Sequence, residues 1–325
     1  MSSWCSPGAS RGFRGSAAAN DPDGDAHAVE VLGRSLRAEL DALRRCREVL
    51  GELHWGDARL RPARGESKAK AAMDKIRQRT PGADLAFLPL DLADLANVRK
   101  AAELAAKEPR IDVLINNAGV LGPTLKHTAQ GFEQTFGVNQ LGCFAFTALM
   151  LPKLMETPGS RVVIQSSGQH KGAKIEWDDL NAEKSYKWLP RYGASKLANL
   201  LFVFELDRRL QAAGAPVTAV ACHPGLVGTG LARDSGWSTM VMSLMGALLG
   251  TTPAMGAGGA LQAATDQKIK PGGYYGPTGL SGLRGPSYEN SAACSKEARD
   301  PQLARRLWDV SVKMTGIDPG LPPAS

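Results

Sequence analysis

From residue 64 onward, short continuous apolar runs alternate with longer helical patterns, and this alternation constrains the fold more than any other feature. The apolar runs are LAFLPLDL (85–92), IDVLINN (111–117), RVVIQSS (161–167) and VTAVACHPG (217–225). Between them lie RGESKAKAAMDKIRQR (64–79), LANVRKAAELAAK (95–107), a long stretch through FEQTFGVNQLGCFAFTALMLPKLM, and YGASKLANLLFVFELDRRLQAAG (192–214). Strands that are apolar on both faces and separated by helices belong to a parallel sheet covered on two sides. The sequence therefore predicts an α/β fold in which 85–92, 111–117, 161–167 and 217–225 are strands.

In such sheets, ligands bind beyond the C-terminal ends of the strands. Polar and turn-forming residues collect there: Asp91, Asn116 in INNAG (115–119), Ser167 in QSSG (165–168), and Pro224-Gly225 in HPGLVGT (223–229). Tyr192 and Lys196 in RYGASKLANLLF stand four apart at the start of the helix after Ser167. Residues at i and i+4 share a helix face. A free phenol has a pKa near ~10, and a neighbouring ammonium favours its ionised form. The spacing thus suits an acid/base group with a tuner. Taken singly, each turn is an ordinary strand-to-helix connection and the Tyr/Lys pair an ordinary solvated helix face; the ordered set is what carries the chemistry.

The set resembles the short-chain dehydrogenase/reductase family over about residues 64 to 315. The insert DDLNAEKSYKWLPR (178–191) and the run SKLANLLFVFELDRRL are similar to its retinol-dehydrogenase-like branch. The resemblance implies a Rossmann-type doubly wound parallel sheet, NADP or NAD as cofactor, and a small-molecule alcohol/carbonyl substrate. It implies Tyr192 as general acid/base, Lys196 as the group that holds the nicotinamide ribose and lowers the tyrosine pKa, and Ser167 as a hydrogen-bond partner of the substrate oxygen. Asn139 in GVNQLG would organise a water in the proton relay; otherwise it is a helix-interior asparagine that disturbs the backbone. Asp91 and Leu92 would flank the adenine, Asn116, Ala118 and Gly119 would lie along the cofactor, and Val227 and Thr229 would cover its nicotinamide and phosphate side. The two long helices, about 130–156 and 192–214, are where relatives pair, so the resemblance also implies a homo-oligomer.

The N-terminal 62 residues depart from this pattern. A family member opens with a strand, a Thr-Gly-x-x-x-Gly-x-Gly turn and a helix, whose glycines bring the backbone against a diphosphate. That turn should fall near residue 35, where SLRAELDALRR contains no glycine. SPGASRGFRG (6–15) has similar letters, but its glycines are misspaced and no strand leads into it. Residues 1–25 read as loop or disordered, and leucine spacing over 26–53 predicts an amphipathic helix. The expected organisation is this atypical segment (1–62), a Rossmann domain (63–315) with its first βαβ unit missing or degenerate and a substrate lid at about 230–255, and a tail (316–325). The missing turn leaves a competing expectation, a non-catalytic relative that uses the scaffold as a binding or regulatory module.

The net charge of +7 comes from basic residues interleaved with acidic ones, with no nucleic-acid motif, so no nucleic-acid partner is expected. MVMSLMGALLG (240–250) is too short to span a membrane, and its apolar stripe points to a lipophilic substrate or to simple packing. The five cysteines are widely spaced with no CxxC pair, which predicts reduced thiols and a cytoplasmic setting. His223 and Asp178-Asp179 lack companions at metal-ligand spacing, so no metal site is expected; they read as a strand-end histidine and a loop cap.

Overall fold

The computed structural model describes residues 30–32, 62–79, 83, 85–225, 253–279, 282 and 284–324. Val227, Thr229, the 240–250 stripe, the lid as far as residue 252 and nearly all of segment 1–62 lie outside them.

The elements, in chain order, are β1 (Glu30–Leu32), α1 (Pro62–Arg79), α2 (Leu95–Ala105), β2 (Val113–Asn116), α3 (Gln134–Phe136), a π-helical stretch (Gly137–Gly142) and α4 (Cys143–Met155). They continue with β3 (Ser160–Gln165), a 3-10 turn (Gly168–His170), α5 (Trp188–Ala212), β4 (Val217–Cys222), α6 (Pro253–Gly256), α7 (Gly258–Thr265), β5 (Tyr274–Gly279), β6 (Arg284–Glu289) and α8 (Pro301–Thr315). The strands form one sheet in the order β1-β2-β3-β4-β5-β6. Strands β2 to β5 are parallel, and β1 and β6 add antiparallel edges.

Alternation along the parallel strands produces two cores. Leu114, Val162, Ile164, Ala219 and Ala221 join the large core against α2, α4, α5 and α8. Val113, Ile115, Val163, Val220 and Cys222 face the other way, onto Ala260, Ala263 and Ala264 of α7. The small residues of α7 let it lie close to the sheet; a Cβ on Gly259 would stand 2.9 Å from the His223 carbonyl oxygen.

Two sequence expectations are corrected here. Residues 85–92 do not form a strand: they run without a ladder partner, and Leu90 and Leu92 are buried against the helical layer. An apolar run becomes a strand only where a neighbour takes its backbone hydrogen bonds. Within the described residues, the edge of β2 away from β3 pairs instead with β1, through Glu30–Ile115, Val31–Leu114 and Leu32–Val113. Those three residues are therefore a strand rather than part of the helix expected over 26–53, the rest of which lies outside the described residues. Since β1 is antiparallel, no parallel βαβ unit precedes β2 among the described residues.

Helices α4 and α5 also hold α8 of the same chain. Trp308 meets Phe144 edge-on at 5.5 Å and lies 6.0 Å from Phe202, with the Arg209 guanidinium 4.4 Å over its ring.

Candidate active site

The C-terminal ends of β2 and β3 and the first turns of α5 converge on Tyr192 and Lys196. Helix α5 starts at Trp188, four residues earlier than the apolar pattern suggested, with Pro190 tolerated in its first turn. Gly193 lets the helix approach the turn after β3: a Cβ there would stand 2.9 Å from the Gln169 carbonyl. That closeness brings the Ser167 side chain near the Tyr192 phenol, whose ionised form it favours. Ser166 Oγ donates to the Lys196 carbonyl at 2.8 Å, lacing β3 to α5.

Tyr192 and Lys196 share one face as their spacing predicts, with Nζ 5.8 Å from the ring centroid. Both are buried, 5% and 3% exposed respectively. Burial pushes the Tyr192 phenol up to about 12, against the Ser167 side chain, which lowers it. In the protein alone, loss of hydration outweighs the Ser167 side chain. Burial also brings Lys196 down to about 8, with Cys143 and Cys222 opposing.

The consequence for stability has a definite sign. A lysine at about 8 in the folded state and near ~10.5 when unfolded makes the unfolded chain the stronger proton binder between those pH values. Stability therefore falls as pH drops from ~10.5 to ~8 and levels off below. Replacing Lys196 by Met should make the protein more stable than wild type at pH 7, by up to a few kcal/mol, with the gap closing by about pH 10.5. Urea denaturation of the two proteins across that range measures it; a gap that does not depend on pH would contradict the buried charge.

Asn139 stands within the π-helical stretch, where widened turns interrupt the regular ladder. Its side chain pins the loop after β2, accepting from Val120 N–H at 2.7 Å and donating to the Val120 carbonyl at 3.0 Å. Nδ2 also donates to Ser195 Oγ at 3.0 Å, tying the loop to α5. Gly119 lies against this junction: a Cβ would sit 3.2 Å from Lys196 Nζ and 3.3 Å from Asn139 Oδ1. Asn116 donates to Thr147 Oγ1 at 2.8 Å, while Asn116 Oδ1 and Asn117 Oδ1 are buried without a hydrogen-bond partner. Ala118 is partly buried between them and Gly119.

Asp91 and Leu92 fall in the non-strand run before α2. Asp91 Oδ1 accepts from Ala93 N–H at 2.8 Å, and its own N–H donates to Asn97 Oδ1 at 2.6 Å. Leu92 is buried in the helical layer, its carbonyl against Gly142 at the end of the π-helical stretch. On the opposite side, the 176–187 loop is clamped by Arg191, which pairs with Asp179 at 2.7 Å and Glu176 at 2.9 Å. Asp179 also accepts from the Glu183 and Lys184 N–H groups, a loop cap as expected. Tyr186 donates from this loop to the Gly122 carbonyl. His223 stacks on Tyr274 at 4.8 Å and is held near 4 by burial. No cluster that could hold a metal exists among the described residues.

Sequence reasoning missed Asn199, Gln165 and His170. Lys196 Nζ donates to the Gln165 carbonyl at 3.0 Å and to Asn199 Oδ1 at 3.3 Å. His170 Nδ1 lies 2.6 Å from the Ser167 carbonyl, bracing the serine turn. Asn199 could have been found: it is three residues after Lys196 and seven after Tyr192, on the same helix face.

Comparison with known proteins agrees with this geometry. The family model for short chain dehydrogenase matches residues 56–237. The chain is 38% identical over 299 residues to Retinol dehydrogenase 14 of Homo sapiens, covering 88% of this chain and 83% of that protein. It is 36% identical over 260 residues to Polyprenol dehydrogenase of Homo sapiens, covering 78% and 76%. A crystal structure of an uncharacterized protein from Mycobacterium Paratuberculosis superimposes with a TM-score of 0.61 at 34% identity, covering 76% of this chain and 81% of that one. The chain belongs to the short-chain dehydrogenase family, in its retinol-dehydrogenase-like branch, and is an oxidoreductase that uses NADP or NAD.

Proposed function

We propose that the enzyme interconverts an alcohol and a carbonyl on a lipophilic small molecule, with Tyr192, Ser167 and Lys196 as its working residues. The observation that carries this reading is the buried phenol beside the Ser167 side chain, with the Lys196 ammonium 5.8 Å from its ring centroid. Ser167 holds the reacting oxygen, and Tyr192 exchanges a proton with that oxygen. With its pKa near 12 the phenol is protonated at neutral pH, the form needed to donate during carbonyl reduction. Alcohol oxidation requires the opposite form and gains from higher pH.

The nicotinamide cofactor supplies the hydride. The residues present fit its nicotinamide end: Gly119 leaves a side-chain-free gap beside Lys196 Nζ, and the orphaned Asn116 and Asn117 oxygens offer acceptors at the end of β2. Lys196 would hold the ribose hydroxyls, and Asn116, Ala118 and Gly119 would lie along the cofactor.

Lipophilicity is supported by Leu125 and Leu189, each 40% exposed, the latter one helical turn before Tyr192. The alcohols in the relatives' names, retinol and polyprenol, are both apolar isoprenoids. A cytoplasmic, reducing setting belongs to the same proposal, supported by the cysteine spacing. The test compares all-trans-retinal, decanal and propanal with NADPH and with NADH, reading alcohol product by chromatography. A buried methylene is worth ~0.8 kcal/mol, about fourfold in kcat/KM, so the long aldehydes should exceed propanal by at least ~100-fold. Equal kcat/KM for propanal and decanal would overturn the lipophilic assignment, and no product from any aldehyde would overturn the activity.

A further inference from the structure

We propose that Asn199 is a positioning residue for Lys196: its side-chain amide bridges the lysine ammonium to the main-chain carbonyl of Asn139 and holds that ammonium in its charged, aimed state. The inference rests on the reading of Lys196 as a working residue of the site and adds a residue to it.

The geometry leaves the amide one orientation. Lys196 Nζ can only donate and the Asn139 carbonyl can only accept. Asn199 Oδ1 therefore faces Nζ at 3.3 Å, and Nδ2 donates to the Asn139 carbonyl at 2.6 Å. The same Nδ2 lies 3.5 Å from Gln140 Oε1, and Gln140 Nε2 lies 3.4 Å from Ser311 Oγ of α8. Asn199, Gln140 and Ser311 are all buried, so this chain of polar groups runs from the lysine through the π-helical stretch to the C-terminal helix. Buried groups of this kind are costly to leave without a partner, so each bond is costly to break.

The surroundings explain why the bridge matters. The groups facing Lys196 are the Cys143 thiol from α4, the Cys222 thiol from β4, the Gln165 carbonyl from β3 and the Tyr192 phenol from its own helix. None is a carboxylate. Two neutral oxygens, Gln165 O and Asn199 Oδ1, thus carry the hydrogen bonding that keeps a desolvated ammonium protonated. Removing one should deprotonate the lysine at lower pH and free its side chain to leave the phenol.

Asn199→Leu and Asn199→Asp move the lysine in opposite directions, which a purely structural role would not produce. The first removes an acceptor, and the second puts a carboxylate in its place. In cofactor-free full-length protein with lysine labelled with 13C at Cε, the Lys196 resonance is assigned by its loss in Lys196→Met. The expected result is a Lys196 pKa about one unit below wild type in Asn199→Leu and at least about one unit above it in Asn199→Asp. With the aldehyde and cofactor turned over above, kcat should fall about tenfold or more in Asn199→Leu while substrate KM stays within about threefold. In Asn199→Asp the alkaline limb of the pH–rate profile should move upward. The proposal is overturned if Lys196 titrates within about 0.3 unit of wild type in either variant whose circular dichroism is native. Because the titration needs neither cofactor nor substrate, it decides the role of Asn199 even if no aldehyde is turned over.

Discussion

Tyr192→Phe is expected to lower kcat by about 10²–10⁴-fold with little change in stability. Tyr192 is 5% exposed, and the His170 imidazole near Ser167 is engaged through Nδ1 at the Ser167 carbonyl. Phenylalanine fills the same space and forfeits only the hydroxyl, worth about 1 kcal/mol at most, so thermal unfolding should stay within a few degrees of wild type. Loss of rate without loss of fold separates a proton carrier from a packing residue. Steady-state kinetics in both directions, with melting measured by circular dichroism, checks both halves. A variant that keeps more than a tenth of wild-type kcat would remove Tyr192 from the chemistry.

The largest effect on stability is expected at Glu205, far along the same helix. Its side chain is fully buried and accepts from Arg209 Nε at 2.8 Å and from Arg208 at 2.7 Å. Arg209 is also buried and lies 4.4 Å over Trp308, so the pair anchors α8 to α5. Glu205→Ala would leave the Arg209 guanidinium buried without its counter-charge, a change that costs about 3–5 kcal/mol. For a domain of this size the melting temperature should fall by about 10 °C. Calorimetry measures it, and Glu205→Gln, which keeps an acceptor and the volume, should lose less. A Glu205→Ala protein melting within about 2 °C of wild type would mean that Arg209 finds solvent without cost.

The parallel sheet was legible because its strands, buried on both faces, are uninterrupted apolar runs, and three of the four expected ones pair as β2, β3 and β4. The fourth, 85–92, carries the same letters and forms no strand. Apolarity reports that a segment is buried; it does not report which edge is free to receive it. Asp179 was legible as a loop cap for the opposite reason, since its acceptors serve N–H groups a few residues away in sequence. Asn139 was legible only by its place in GVNQLG, for its partners Val120 and Ser195 are 19 and 56 residues distant.

What the sequence determined by itself is local and periodic: the i, i+4 pairing of Tyr192 with Lys196 and the placing of Ser167 and Asn116 at strand ends. Those follow from helix and strand repeats that any neighbouring residues obey. Only the tertiary structure decided the electrostatics. The phenol pushed up to about 12, the lysine brought down to about 8 and the Asn199 amide between that lysine and the Asn139 carbonyl depend on how completely packed neighbours exclude water. Desolvation is a property of the assembled core, and spacing along the chain carries no measure of it.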